Sequence, residues 1–515
     1  MIGWLSRRWV RRALALAPLP LLILWQLSLL RSDLPNTHKM RISGLHSQDR
    51  FVYFLFYKNL FPVATLESGR DYYFYYSNDA PPKEPNHLTY SPEAADRSLV
   101  EHGDALVQEW GHTMRWGNFL ETYLYLFDAW RLGSPELAET RLFNALMFLL
   151  ALSVVYVAFW ACEHTVLGAA LFVLVGSDPA QLFAAYREEN VKSWPITVAC
   201  LALALVAPLV TGRRWPTWAR AGIACGAGLL CATSYQIRSE TAAPLLGVII
   251  VLLTAAGASR RSRLVTAALS LVVFVIGLQA WQAFFSHKIA ESTAVVTKAG
   301  GHPYPGPWAN AHNLWTIVFV GLGDFDTKYG YEASDNSAVA YAEPALRARY
   351  GTPLPWWWGM SREHQPRIDA DFYDAAHLYY RAPFEAPHVQ ELLRDKVLHD
   401  ITHDPKWYAV ILAKRTWRIL SETTPVQWYA RLGTQVRVPF HGLVALLVIV
   451  IAAWRREATA LRVMAMGAPL SFIALGISTA GNFAYLGIYH LCAAAIVVWW
   501  ASRFLVARFQ APQHA

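Results

Sequence analysis

The 515-residue sequence predicts an all-α polytopic membrane protein that crosses the bilayer about ten times. Hydrophobic residues make up 55% of the chain and charged residues only 16%, against about 25% charged residues in an average soluble domain. The apolar residues are concentrated in runs that are separated by short arginine-rich stretches. The formal net charge of +8 therefore indicates orientation in a membrane and not a nucleic-acid partner.

Ten apolar runs account for the predicted crossings. A straight crossing needs about 20 apolar residues, and most of the runs approach that length. The third run is short and breaks at the Gly-Ser-Asp-Pro sequence of residues 176–179, so it is predicted to be a half-length span. The predicted spans are residues 13–30, 142–161, 165–175, 194–210, 221–237, 241–256, 264–285, 438–454, 463–479 and 488–505.

Arginine clusters in the short loops determine the predicted orientation. With these spans every cluster falls on one side of the membrane, and the positive-inside rule makes that side cytoplasmic. The sequence thus predicts a multi-pass protein of the cell inner (plasma) membrane with both termini in the cytoplasm. The first run is interpreted as an uncleaved span, because it is long and no Ala-x-Ala site follows it.

Three units follow from this order of spans. Residues 1–285 are predicted to form a seven-helix membrane module that includes a large outer loop, residues 31–140. Residues 286–437 are predicted to form an aromatic-rich, mostly helical segment on the outer (periplasmic) side. Residues 438–515 are predicted to form a C-terminal membrane segment of three helices.

Two stretches outside the spans have the apolar spacing of amphipathic helices. Residues 117–132 place Phe119, Tyr123 and Trp130 on one helical face, which favours a helix that lies in the outer membrane interface. Residues 404–420 have a proline in the expected first turn and basic residues near the expected end, as helices prefer. Both stretches are therefore predicted to be helices.

The sequence gives little indication of disulfide, metal or hydrolase chemistry. All five cysteines lie in or beside apolar runs, so no disulfide framework is expected in the outer segments. His399 and His403 have a spacing that can hold a metal ion, but a solvated surface helix is the preferred interpretation. No metal site is predicted. The chain also lacks a GxSxG elbow and a P-loop.

Charged residues cluster at the predicted outer ends of the spans, where ionisable groups are costly and are functional candidates by default. For any single residue, anchoring of a span end is the slightly preferred interpretation. For the whole set, a shared functional cavity is preferred. The candidates in the outer loops are Asp104, Arg187, Glu188, Glu189, Lys192, Arg238 and Glu240.

A glycine-rich stretch, residues 311–335, combines aromatic, acidic and basic side chains. Glycines beside carboxylates allow a ligand to approach the backbone closely, but an ordinary turn-rich loop explains the stretch equally well. The candidate substrate-binding residues here are His312, Trp315, Asp324, Asp326 and Lys328.

The order of spans and outer segments resembles the GT-C superfamily of membrane glycosyltransferases, which includes lipid A aminoarabinose transferases and protein O-mannosyltransferases. The shared layout is a large first outer loop, short charged outer loops after the third and fifth spans, and a second large outer segment after the seventh. Asp104 precedes the predicted interfacial helix, and GSPELAETR (residues 133–141) leads into the second span. The chain lacks the Asp-Glu pair and the His-Pro-Pro run of that loop, and has Asp104-Ala105 and Phe119-Leu120 instead.

This resemblance implies a GT-C-like fold and an inverting transfer of a sugar from a polyprenyl-phosphate donor to a hydroxyl group of a lipid, glycan or protein. Asp104 would be the general base, and Glu188 or Glu189 would position the acceptor or share that role. The resemblance implies no cofactor for a monophosphate donor, whereas a pyrophosphate donor would favour the hypothesis of a divalent ion held by these carboxylates. The leaving phosphate would be held by basic residues, namely Arg187, Arg238 and Arg415.

The main alternative is a transporter or flippase for a lipid-linked or polysaccharide substrate. Transporters place ionisable residues near the bilayer midplane and often have repeated halves, and this sequence shows neither feature clearly. A non-catalytic assembly or receptor protein is a second alternative. A polymerase or ligase of surface polysaccharide is closer to the preferred interpretation.

Overall fold

A computed structural model describes residues 8–37, 119–133, 141–178, 182, 190–237, 239–298, 314–350, 389–431, 434–476 and 483–510. In this part of the chain the fold is mostly helical, as the sequence predicts. The helices before residue 300 are α1 (Arg8–Leu16), α2 (Pro18–Thr37), α3 (Phe119–Leu132), α4 (Arg141–Ala161), α5 (Thr165–Ser177), α6 (Asn190–Val210), α7 (Thr217–Tyr235), α8 (Pro244–Leu253) and α9 (Arg260–Lys298). Those after it are α10 (Leu314–Leu322), α11 (Asp335–Tyr350), α12 (Val389–His403), α13 (Pro405–Ser421), α14 (Gly442–Trp454), α15 (Ala458–Gly476) and α16 (Phe483–Gln510).

Four helical segments among the described residues are long and apolar enough to cross a membrane by length and composition. They are Arg12–Leu29, Leu142–Ala161, Arg260–Val295 and Gly487–Arg508. Shorter apolar helices follow the same pattern over Thr165–Ser177, Trp194–Val210, Glu240–Leu253, Gly442–Trp454 and Ala458–Ile473. Each predicted span thus coincides with a helix, and the number of crossings beyond four stays a prediction.

The apolar helices bury one face in a common core and expose apolar side chains on the other. Phe148, Tyr156 and Phe159 of α4 are almost fully buried in that core. An exposed apolar surface of this extent is unfavourable in water and favourable against hydrocarbon, which supports insertion in a membrane. Exposed side chains on these helices include Leu21, Leu24, Leu146, Leu150, Leu246, Val272, Ile276, Leu447 and Val450.

Glycines permit close contact between two helix pairs. A Cβ atom on Gly228 of α7 would lie 2.5 Å from the carbonyl oxygen of Ser270 in α9. A Cβ atom on Gly247 of α8 would lie 2.6 Å from the carbonyl oxygen of Ala465 in α15. Small residues at such contacts let the helix backbones approach, which is how helices associate without a hydrophobic driving force between them.

One end of the bundle collects the arginine-rich turns, and we call it the basic end. Arg12 Nη2 lies 2.8 Å from Glu163 Oε1 in the turn between α4 and α5. Arg213, in the turn between α6 and α7, lies 3.9 Å from the same carboxylate oxygen. At the start of α15, Arg462 donates a hydrogen bond of 3.0 Å to the carbonyl oxygen of Leu209 at the end of α6. The turns that the sequence analysis places on one side therefore meet in space.

The opposite end of the bundle carries α3, and we call it the distal end. The backbone N–H of Leu120 donates to the carbonyl oxygen of Gln236, just after α7, at 3.3 Å. The ring of Tyr123 lies 6.0 Å from that of Phe284 and 6.4 Å from that of Phe285, both in α9. The predicted helix over residues 117–132 is confirmed as α3.

A β-hairpin departs from the all-α prediction. Strands β1 (Thr423–Arg431) and β2 (Thr434–His441) pair antiparallel, with Thr423 opposite His441. The predicted eighth span begins at residue 438. In the structure α14 begins at Gly442, because residues 434–441 belong to β2. β-branched residues disfavour a helix here and suit strands. They are Thr423, Thr424, Val426, Thr434, Val436 and Val438.

Helix α9 extends well beyond the predicted seventh span of residues 264–285. It continues to Lys298, because residues 286–298 contain neither glycine nor proline to end it. The predicted division between the first unit and the outer segment, at residue 285, falls inside this helix.

Replacing Gly228 by alanine is expected to destabilise the bundle by about 1–3 kcal/mol, the usual cost of overpacking a core. Gly222 is the matched control, because it lies in the same helix and nothing lies within 4 Å of the position its Cβ would take. Gly222→Ala is expected to be neutral or slightly stabilising. Thermal unfolding in detergent measures both variants, and equal behaviour would contradict the close packing of α7 on α9.

Candidate functional site

Helices α10 to α13 surround a small hydrophobic core of their own, and we call these helices and the loop between α10 and α11 the helical module. Phe319, Leu393 and Ile411 are fully buried in this core. The ring of Tyr331 lies 4.6 Å from Phe319 and stacks on Trp407 at 5.6 Å. The glycine-rich stretch of the sequence is thereby packed against α12 and α13.

The loop after α10 requires glycine at position 323. A Cβ atom there would lie 2.3 Å from the backbone carbonyl carbon of Glu332, which no side chain can tolerate. Further along the loop, Asp326 Oδ1 accepts hydrogen bonds from Lys328 N at 3.0 Å and from Trp407 Nε1 at 3.3 Å. Gly323 and Asp326 therefore fix the loop against α13.

Asp404 caps α13 and holds the same loop. Its Oδ1 accepts a hydrogen bond from Trp407 N at 3.0 Å, and its Oδ2 accepts from Lys328 Nζ at 2.6 Å and from Tyr329 OH at 3.2 Å. The bond with Lys328 is the main reason that the pKa of Asp404 is lowered and the pKa of Lys328 is raised. The predicted helix over residues 404–420 is confirmed, and Lys328 is engaged at its start.

Three further hydrogen bonds tie α10 and its loop to α12. Tyr331 OH donates to Asp400 Oδ2 at 2.8 Å, and burial, helped by this bond, raises the pKa of Tyr331. Trp315 N donates to Gln390 Oε1 at 3.1 Å, while Gln390 Nε2 donates to Thr316 Oγ1 at 2.7 Å. The backbone of Trp315 is thus fixed in the module, with its ring packed on the module core.

Asp324 and Arg415, two predicted substrate-binding residues from distant parts of the chain, meet at the distal end. Arg415 Nε lies 3.4 Å from Asp324 Oδ2, and both side chains are fully buried. Arg415 Nη1 also donates to the carbonyl oxygen of Leu475 at 3.0 Å, in the last turn of α15. The arginine therefore connects the helical module to the membrane bundle.

The guanidinium group of Arg415 has donors to spare. Its Nε faces Asp324, but its Nη2 is buried and has no hydrogen-bond partner among the described residues. Burial lowers the pKa of Arg415 and the charge of Asp324 opposes that effect, so the group remains a cation at neutral pH. A buried guanidinium with uncommitted N–H groups is suited to bind phosphate oxygens.

Two charged residues that were not among the predicted site residues follow Arg415, namely Arg418 in the last turn of α13 and Glu422 at its C-cap. The guanidinium of Arg418 lies 4.5 Å from the ring centre of Phe325, the neighbour of Asp324. Glu422 is half-buried, and its burial raises its pKa while Arg418 opposes that shift. The helical spacing of Arg415, Arg418 and Glu422 was the signal that could have identified them together.

The other predicted site residues are only partly described. Glu240 is buried in a 3₁₀ turn, Ser239–Ala242, between α7 and α8 at the distal end. Lys192 lies in the first turn of α6. Their convergence with Arg415 in one cavity stays a prediction. The candidates that lie outside the described residues are Asp104, Arg187, Glu188, Glu189, Arg238 and His312.

The spaced histidines lie on α12. The rings of His399 and His403 stack with their centres 5.4 Å apart. Over the described ranges, no group of three or more His, Cys, Asp or Glu side chains is arranged to hold a metal ion.

The fold and the site together define a mostly helical protein with four helical segments long and apolar enough to cross a membrane, and with a buried arginine–aspartate pair at one end of the bundle. Comparison with protein-family models, with curated proteins and with solved structures gives no match to this chain. The chemistry of the site is therefore the guide to function.

The ion pair between Asp404 and Lys328 makes the stability of the helical module depend on pH in the acid range. Because the pKa of Asp404 is lowered in the folded state, its contribution is present above the unfolded pKa of about 3.9 and is lost as the pH falls through the folded value. Asp404→Asn keeps the helix cap and loses the charge, so its unfolding should depend less on pH below about pH 4.

Acid unfolding followed by tryptophan fluorescence measures this difference. Asp395→Asn is the control, because the side chain of Asp395 is 67% exposed and its ion pair is with the adjacent Arg394. If the two variants show the same acid dependence as the unchanged protein, the assigned role of Asp404 is wrong.

The buried pair predicts a characteristic pattern of stability. Arg415→Met leaves a buried carboxylate and Asp324→Leu leaves a buried guanidinium, so each should cost about 3–5 kcal/mol. The double variant removes both charges and should be more stable than either single variant. Unfolding by titration with sodium dodecyl sulfate measures all four proteins, and additive losses in the double variant would show that the two charges do not interact.

Proposed function

We propose that this protein is a GT-C-like membrane glycosyltransferase. It transfers a sugar from a polyprenyl-phosphate donor to a hydroxyl acceptor, on a lipid, glycan or protein, at the outer face of the inner membrane. The observation that carries the proposal is the buried Arg415–Asp324 pair at the distal end. The uncommitted N–H groups of Arg415 are the binding groups that a departing lipid phosphate needs.

The proposal includes ten crossings with both termini in the cytoplasm. It is supported by the helices that coincide with the ten predicted spans. It is also supported by the contacts of Arg12, Arg213, Arg462 and Arg503, which gather the arginine-rich turns at the basic end. The positive-inside rule makes that end cytoplasmic, and the helical module with Arg415 is then on the outer side.

In the proposed reaction, Asp104 removes the proton from the acceptor hydroxyl. The acceptor oxygen attacks the anomeric carbon, the bond from that carbon to the phosphate oxygen breaks, and its electron pair leaves with the polyprenyl phosphate. Attack from the face opposite the phosphate inverts the anomeric configuration. Arg415, with Arg187 and Arg238, stabilises the negative charge that develops on the phosphate.

The remaining candidates are given supporting roles. Glu188 and Glu189 position the acceptor, in the same outer loop as Arg187. Glu240 is already at the distal end and is buried, so it is placed to orient a neighbouring cation or a sugar hydroxyl. No metal or cofactor takes part when the leaving group is a monophosphate.

The distribution of charge disfavours the transporter alternative. In the described helices that coincide with predicted spans, Lys192, Arg220 and Arg462 all lie within the first two turns. Transporters instead place ionisable groups near the middle of the bilayer.

Turnover of lipid-linked sugars by the purified protein tests the proposal. The protein in detergent is incubated with a panel of radiolabelled polyprenyl-phosphate sugars and a membrane-lipid extract, and free polyprenyl phosphate is measured. We expect turnover by the unchanged protein and none by Asp104→Asn. The double variant Asp324→Leu/Arg415→Met should keep its fold and lose at least about 100-fold in rate.

Each result separates two interpretations. Equal turnover by Asp104→Asn moves the general base to Glu188 or Glu189. Turnover at the original rate by the double variant makes Arg415 a structural residue only. No turnover with any donor, combined with movement of the donor across the membrane of reconstituted vesicles, would replace the proposed enzyme by a flippase.

A further inference from the structure

A second polar site lies at the basic end of the bundle, far from Arg415. A cavity of about 560 Å³ opens between the turns that join the membrane helices. Five separate segments of the chain contribute to its wall, from the turns after α4, α6, α8 and α14 and from α16. Its polar and aromatic lining includes Glu163, His164, Glu457, Arg462, Trp499 and Arg503.

Arg462 forms a fixed part of the wall. Its Nη1 donates to the carbonyl oxygens of Leu209 and Val210, at 3.0 and 3.3 Å, and its Nε donates to Thr254 Oγ1 at 3.2 Å. The carbonyl groups at a helix C-terminus carry a partial negative charge, and Arg462 offsets that charge for α6 and α8. Because these donors of Arg462 are already used, a ligand would be bound by other cations.

Among the other charged residues around the cavity, arginines outnumber carboxylates. Glu163 is shared by Arg12 and Arg213, at 2.8 and 3.9 Å, so one carboxylate faces two guanidinium groups. Glu457 Oε1 lies 3.2 Å from Arg503 Nη1. Arg503 keeps 57% of its side chain exposed, and Arg213 keeps 40%. The local balance is positive, which favours an anionic ligand.

In two of the turns, a residue other than glycine adopts a backbone conformation that glycine adopts more easily. This indicates that the side chain of that residue has a role besides forming the turn. Glu163 and Arg456 have φ values of +66° and +55°, in the left-handed region that glycine adopts without strain. The equivalent turns after α6 and α8 use Gly212 and Gly257, with φ of +79° and +68°. Glutamate at position 163 is thus explained by the contacts of its carboxylate and not by the needs of the turn.

In a membrane crossed by these helices, the cavity would lie at the depth of the lipid headgroups. It is formed by turns at the ends of apolar helices, where a bilayer presents its phosphate groups. Trp499 lines it, with the guanidinium of Arg503 5.0 Å from its ring centre, and Trp454 nearby in the chain is 84% exposed. Tryptophan at this level is typical of the membrane interface.

We propose that this cavity binds the phosphate group of an anionic phospholipid headgroup, with Arg503 of its wall as the binding cation and Arg213, which lies 3.9 Å from the wall residue Glu163, as a neighbouring cation. Glu163 and Glu457 hold these arginines in place and limit the affinity, because each carboxylate neutralises part of their charge. This site is independent of the proposed sugar transfer, since it lies at the other end of the bundle and is tested by binding alone.

Titration of the purified full chain with three probes tests the site. Dioctanoyl-phosphatidylglycerol carries the headgroup, dioctanoylglycerol lacks the phosphate, and inorganic phosphate lacks the lipid. We expect binding and a raised thermal unfolding temperature with the first probe and neither effect with the second. Arg503→Gln should weaken binding about tenfold, as the loss of one charge-assisted hydrogen bond does.

Two further variants sharpen the test. Glu163→Gln frees Arg12 and Arg213 from their shared carboxylate, so it should bind the phospholipid more tightly than the unchanged protein. Arg508→Gln is the matched control, because Arg508 is exposed on the same helix as Arg503 and does not line the cavity. Its affinity should be unchanged.

The outcomes are distinct. Opposite changes in Arg503→Gln and Glu163→Gln, with Arg508→Gln unchanged, support the site. Equal binding of inorganic phosphate and phosphatidylglycerol supports the phosphate chemistry and overturns the lipid as its source. No phospholipid binding, or equal loss in Arg503→Gln and Arg508→Gln, overturns the proposal.

Discussion

The buried ion pair between Arg415 and Asp324 determines how the helical module meets the membrane bundle. Both side chains are withdrawn from solvent, and a charge in such an environment is tolerated only when an opposite charge and hydrogen-bond partners are close. The pair therefore requires the loop after α10 and the middle of α13 to stay together. The hydrogen bond from Arg415 to Leu475 adds the end of α15 to the same unit. A group that is held this firmly and still has free donors is well suited to bind a charged ligand repeatedly in one geometry.

The two ends of the bundle use charge in different ways. At the basic end, exposed arginines outnumber the carboxylates that pair with them, and the turns that carry them are drawn together around Glu163 and Glu457. Among the described residues of the distal end, Arg415, Asp324 and Glu240 have buried side chains. The apolar surface between the two ends explains this separation, because hydrocarbon excludes charged groups from the middle of the helices. A lipid phosphate at either end would meet an arginine, namely the fully buried Arg415 at the distal end and the 57% exposed Arg503 at the basic end.

Several residues that the sequence marks as ligand-binding are committed to the structure of the helical module. Asp326 and Lys328 hold the loop to the start of α13 through Trp407 and Asp404. The same stretch supplies Asp324 to the buried pair. Neighbouring charged residues in one loop therefore have different roles, and chemistry-bearing residue types alone do not distinguish them. Burial and partner identity do, because a half-exposed pair mainly orders its loop, whereas a fully buried arginine with unused donors can bind a ligand.

The sequence by itself determined the helical character, the positions of the apolar helices, the helix over residues 404–420 and the helix α3. These features depend on composition and on spacing within short windows, where hydrophobic periodicity and helix-start residues such as Pro405 act locally. Tertiary structure alone decided the pairing of β1 with β2 before α14 and the pairing of Arg415 with Asp324. Strand pairing and buried ion pairs are contacts between elements, and their free energy depends on which distant segments pack together and exclude water, which no local pattern specifies.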